Sequence, residues 1–171
     1  MSLLVIDFTY MAGRDGELVI KDLAAVDSHS NMVSSYVFKR PYGWEEIPIF
    51  NTRINQAIDH GRNWNDGDIL YSELENALHL EASSAVAIYC FGPQKTAFIT
   101  SLTNRTVIYI TQLECPQLAD ISLPTISCMF ACHNKSKHVC ALRSAYLLAQ
   151  WLKFYILSLQ YANCPPQPAY H

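Results

Sequence analysis

Cys128, Cys132, His133, His138 and Cys140 fall within thirteen residues, directly ahead of an apolar run that opens with Ala141-Leu142. Thiolate sulfur and imidazole nitrogen are the donors zinc prefers, and a short loop closing onto a helix can bring three or four of them to one ion. The competing reading is that several of these cysteines are buried apolar residues without a metal. The spacing is irregular and lacks a paired Cys-x-x-Cys set, so one ligand would have to come from elsewhere in the chain. An ion held by four protein groups has no open position for water, and its work would be structural, pinning the loop to the start of the last helix.

The rest of the chain has to carry that cluster. Its 171 residues are half hydrophobic and 16% charged, enough for one domain with a sizeable core. The domain is assigned to residues 1–163, and residues 164–171 are a Pro-rich tail. A formal charge of −3 and a pI near 6.0 argue against a strong nonspecific nucleic-acid binder, leaving single-stranded RNA as a local contact only. Four of the six cysteines lie between Cys115 and Cys140, and the first residues lack a basic segment ahead of the apolar run. These features point to an intracellular, reducing compartment, cytoplasm or nucleus.

Residues 3–10 and 17–26 are apolar, β-prone runs around the Gly13-Arg14-Asp15-Gly16 turn, and residues 31–39 make a third strand. Helical sequence follows near residues 52–60 and again at 72–80, where Ser72 and Glu75 have the spacing of a capping box. A strand at 85–91, a helix at 94–102 after the Gly92-Pro93 break, a strand at 106–112 and a helix at 139–161 complete the order β-β-β-α-β-α-β-α. That order predicts an α/β domain whose mixed five-stranded sheet begins as an antiparallel meander, continues with parallel strands and is flanked by helices. The last helix is apolar nearly all round, but Arg143, Gln150, Lys153 and Gln160 interrupt it, so no membrane span is expected. Its stripe of Leu148, Trp151, Leu152, Tyr155 and Leu159 predicts a homodimer or a protein partner.

This order, with Asp7 on the first strand and His138-Val139-Cys140-Ala141-Leu142-Arg143-Ser144 opening the last helix, resembles the RNase H-like fold of the DEDDh 3′–5′ exonucleases. The resemblance implies four carboxylates holding two divalent metals. Asp7 stands where the first Asp belongs, but Thr9 replaces the Glu. Lys95 or a neighbour falls where a second Asp is expected, with no carboxylate between Gly92 and Arg105, and the last acid is Ser144 or, in the other register, Arg143. His138 matches the general-base His. One Asp beside a Lys and an Arg cannot supply the oxygens that two Mg²⁺ ions need, so Mg²⁺ chemistry is not expected and a pseudo-nuclease is. Lys95 and Arg143 would instead pair with Asp7 or hold a small anion. The alternative is an active nuclease with a relocated site drawing on Asp66, Asp68 or Glu73.

The stretch Trp64-x-Asp66-Gly67-Asp68-x-x-Tyr71-Ser72-Glu73-Leu74, then Glu114-Cys115-Pro116 and Cys140-Ala141-Leu142-Arg143, is similar to the Maelstrom domain and to related domains of arthropod mobile elements and viruses. The Maelstrom resemblance implies a structural zinc on Glu, Cys, His and Cys, with Cys128 and Cys140 as the cysteines. His133 or His138 would be the imidazole, and Glu45, Glu46 or Cys132 the remaining ligand. It implies a protein- or RNA-binding module of small-RNA silencing or of a virus or mobile element.

Overall fold

The structure, a computed structural model, describes residues 2–57, 63–124, 126 and 140–163, with only the backbone described at 53, 54, 56 and 57. Two long apolar runs and a short third strand form an antiparallel meander, β1 (Ser2–Ala12), β2 (Leu18–Asp27) and β3 (Val33–Val37). β4 (Ala85–Cys90) adds parallel to β1, and β5 (Val107–Tyr109) parallel to β4, giving the order β3-β2-β1-β4-β5. The helices are α1 (Ile49–Ala57), α2 (Leu74–Ala82), α3 (Pro93–Thr103) and α4 (Ala141–Ala162). The chain is thus an α/β protein with a five-stranded mixed sheet flanked by helices.

Alternation along the central strands sorts the core into two layers. Leu4, Ile6 and Phe8 point to one face and pack with Leu78 of α2, Ile88 and Ile99 of α3. Val5, with Ala24 and Val26 of β2, points to the other face and packs under Leu142, Ala145, Leu148 and Leu152 of α4. Both faces of β1 and β2 are covered, and their sequences therefore read as continuous apolar runs. A third cluster, Met11, Val19, Ile47 and Trp64, closes the turn end of the β1–β2 hairpin. Asn55 of α1 docks there, accepting from the Ala12 N–H at 2.7 Å and donating to the Ala12 carbonyl at 2.8 Å.

Local chemistry yields to packing in two places. Ser72 does not cap a helix: Tyr71–Glu73 form a 3-10 turn, α2 begins at Leu74, and its N-cap Glu73 makes no side-chain capping bond. Tyr71 is the reason, since its ring packs on Phe38 and its hydroxyl meets Ile20 N at 3.2 Å, fixing the chain before the helix starts. The last strand also ends early. Past Tyr109 the chain turns into a 3-10 segment, Ile110–Leu113, which sinks Ile110 beneath α4 with no exposure to water.

The charged pair Lys21-Asp22 interrupts β2, and alternation sends the two side chains to opposite faces. Lys21 is fully buried, and its ammonium donates to the carbonyls of Phe38 at 2.7 Å, Trp64 at 2.9 Å and Asp66 at 2.6 Å. It thereby ties the loop before Gly67 to the end of β3. Gly67 is required at the crossing: its φ is +132°, and a Cβ there would lie 2.4 Å from the Phe38 carbonyl carbon. Replacing Lys21 by Met keeps the stem but strands three carbonyls, so K21M is expected to cost roughly 3 to 5 kcal/mol. Urea unfolding followed by circular dichroism measures this, and a loss under about 1 kcal/mol would contradict the role assigned to the ammonium.

Candidate functional site

β1 runs farther than β4. Their parallel pairing ends with Val5 opposite Tyr89, and β4 stops at Cys90, so Asp7 stands just beyond the carboxyl end of β4, where open α/β sheets form crevices. Gly92 turns the chain there with φ +100°, a conformation that favours glycine, and Pro93 opens α3 in its first turn. Lys95 is thereby carried over the crevice. Its Nζ lies 2.5 Å from Asp7 Oδ1 and 5.3 Å from the centre of the Phe8 ring. Asp7 is 4% exposed, and the Lys95 side chain is about one quarter exposed. The ion pair expected from sequence is present.

Asp7 and Thr9 share the face covered by α4, because they follow Val5 in steps of two. Directly opposite Thr9 in the ladder stands Asp22, 4% exposed, whose Oδ2 accepts the Thr9 hydroxyl at 2.9 Å. Asp22 is a second buried carboxylate on this face, a diagonal neighbour of Asp7, which faces Ala24. The sequence analysis missed it. The signal was an acid inside an otherwise apolar run, which has to be satisfied if the strand is buried.

The first turn of α4 lies on the same face. Cys140 is its N-cap, 4% exposed, with Sγ accepting from Arg143 N at 3.4 Å. Ser144 is 1% exposed, and the Nε of Arg143 is buried with no hydrogen-bond partner among the described residues. Glu46 is elsewhere. Its Oε1 accepts from Arg14 at 2.9 Å and its Oε2 from Gly43 N at 3.1 Å, at the hairpin end beside Ile47, so it does not join Cys140. Asp66 caps its own turn through Asn63 N at 2.9 Å, and Glu73 bonds Asn76 at 3.2 Å. Cys128, Cys132, His133 and His138 lie outside the described residues. Among the described residues no three His, Cys, Asp or Glu side chains are grouped to hold a metal.

The Cys90 and Cys115 thiols are free and buried. Burial, reinforced by the Asp7 carboxylate, pushes the Cys90 thiol far up, and burial pushes Cys115 up to about 11. Thiolate is the reactive form, so both are inert at neutral pH.

The apolar stripe of α4 divides differently from the sequence expectation. Leu148 and Leu152 are fully buried on the sheet, and Trp151 stacks on Tyr155 with ring centres 5.1 Å apart. Phe154, Leu157, Leu159 and Tyr161 are the exposed members, and every residue from Leu157 to Ala162 is exposed, so the last turns overhang the sheet. No helix among the described residues is long and apolar enough to cross a membrane. Compared with known proteins, the chain matches no family model, no curated sequence and no solved structure.

Two outcomes follow from this geometry. Removing Lys95 leaves a carboxylate that water barely reaches, whereas removing Asp7 frees a lysine able to swing outward. Lys95→Met should cost roughly 2 to 4 kcal/mol and Asp7→Asn less, with the double variant less damaged than the sum. A double-mutant cycle by urea unfolding measures the coupling, and strict additivity would refute it. In thiol labelling at pH 7.5, Cys90 and Cys115 should react only after unfolding, as peptide mapping by mass spectrometry will resolve.

Proposed function

We propose that this chain is a nucleolytically silent binding module on an RNase H-like scaffold of the DEDDh exonuclease type. The observation that carries the reading is the Lys95 ammonium 2.5 Å from Asp7. In the related catalytic fold the equivalent carboxylate binds divalent metal, with several further carboxylate oxygens sharing it. Here a fixed monovalent cation from α3 takes that place, and the neighbouring positions are Thr9, Arg143 and Ser144. Asp22 is engaged by Thr9. Among the described residues, such a crevice is electrostatically satisfied without a metal.

The working surface is instead the overhanging end of α4. From Phe154 to Ala162 it carries no charged residue while exposing two aromatic and two leucine side chains. Aromatic groups held on a rigid helix are favoured anchors for a protein partner or a second copy of the chain. The reading also includes one structural zinc held by Cys128, Cys140 and His133 or His138. Glu46 is committed to Arg14, which leaves Cys132 or Glu45 as the fourth ligand.

Labelled single-stranded RNA and DNA, incubated with Mg²⁺ or Mn²⁺, should remain intact. Digestion that Asp7→Ala abolishes would establish the alternative, an active nuclease with a relocated site. The double variant Phe154→Glu/Leu157→Glu should stay folded and lose self-association or partner capture in sedimentation. A wild-type chain that sediments as a monomer and captures nothing through α4 would remove that surface. Elemental analysis should find about one zinc per chain, with Cys140→Ser releasing it and lowering the melting temperature, since metal binding contributes directly to folding.

A further inference from the structure

The two edges of the sheet are finished differently. β5 has three residues and bends away into a 3-10 turn, which blunts that edge. β3 has no such device: Val33-Ser34-Ser35-Tyr36-Val37 contains no charge and no proline, and its ladder with β2 runs without a bulge. Phe38 N donates to Lys21 O at 2.8 Å, so Tyr36 and Ser34 also turn their amides toward β2, and Val33, Ser35 and Val37 turn theirs outward.

The chain already uses part of this edge. Asp68 N and Ile69 N both donate to Val37 O at 3.1 Å, and Lys39 N donates to Ile69 O at 2.7 Å, a short parallel bridge beside Phe38. The bridge stops there, and among the described residues the outward backbone groups of Val33 and Ser35 have no strand beside them. Alongside the open stretch, between β3 and α2, lies a groove of about 280 Å³ lined by Tyr36, Ile69, Glu73, Asn76, Ala77 and Leu80. One end is fixed by Tyr36, whose hydroxyl bonds Glu81 at 2.5 Å. Leu80 is 69% exposed and Leu70 59%.

We infer that the β3 edge and this groove form a second binding site, which takes an extended peptide of a partner protein as a sixth strand. Main-chain bonds to Val33 and Ser35 supply the pairing, and alternate side chains drop into the groove. The walls are apolar and the lining charge is the carboxylate of Glu73, so the fitting peptide alternates β-branched residues and carries a lysine or arginine opposite Glu73. A second copy of the chain fits less well. Its own bridge at residues 68–70 would run into the paired strand, whereas a short free peptide ends where the bridge begins. The site stands apart from the Asp7 crevice and from α4, and does not depend on the reading given to either.

The probe is a fluorescein-labelled ten-residue peptide of alternating valine and threonine with a lysine near its centre, titrated against the full chain. Its twin is N-methylated on alternate amides so that one backbone edge cannot donate. Binding by the first and not the second is expected, with slowed hydrogen exchange at Val33 and Ser35. Glu73→Lys should weaken the lysine peptide on the order of tenfold and favour a peptide with glutamate in its place. Leu80→Lys, at an exposed position that leaves the core untouched, should weaken both. Equal binding of the N-methylated twin, no binding of either peptide, or a dimer through β3 that excludes the peptide would each overturn the inference.

Discussion

An ammonium with no access to water, held by three backbone carbonyls, determines how this sheet is finished. Lys21 belongs to the central meander by sequence, yet its Nζ is shared among Phe38, Trp64 and Asp66, which belong to the end of β3 and the loop before Gly67. A buried cation is tolerated only when its donors are satisfied, and three short bonds satisfy all three. The consequence propagates along the chain. With residues 64–66 fixed, Gly67 crosses the Phe38 backbone, residues 68–69 bridge to β3, and Tyr71 is delivered under the Ile20 amide. The position of α2, and with it one wall of the groove beside β3, follows from that tether.

The same strand places an acid on the opposite face. Asp22, Thr9 and Asp7 lie under α4, and Lys95 reaches in from α3 at the point where β4 ends and β1 continues. A crevice at the carboxyl ends of parallel strands is a common location for ligand chemistry. Here it is closed electrostatically: one carboxylate takes an ammonium and the other a hydroxyl. The cation that meets Asp7 is covalently attached to α3 and cannot exchange with solvent ions.

The element order was legible because both faces of β1 and β2 are covered, so the strands are long unbroken apolar runs between recognisable turns. The Asp7–Lys95 pair was legible only through the exonuclease resemblance, which sets Lys95 where an acid is expected beside Asp7. Lys21 and Asp22 were not. A charge inside an apolar run signals that it must be satisfied, but its partners, Thr9 for Asp22 and the carbonyls of a distant loop for Lys21, are not visible in the strand itself. The capping box at Ser72 failed for a related reason: a local bond worth about 1 kcal/mol gives way to the burial of the Tyr71 ring. In α4 an all-round apolar helix hides which stripe meets the sheet. The length of the sheet decides that Leu152 is core and Leu157 is surface.

These constraints separate the molecule into a central sheet whose inward charges are paired and two unfinished margins. Every charged side chain drawn into the strands has its counter-group, so the central sheet has little left with which to recognise anything. The margins differ in kind. The end of α4 offers side chains without free backbone groups, and so suits a packed helix or a folded surface. The β3 edge offers backbone groups beside an apolar groove, and so suits an extended chain. Pairing Asp7 with Lys95 keeps the packed crevice neutral, whereas Val33 and Phe154 stay exposed at the margins, where apolar groups can still be covered by another chain.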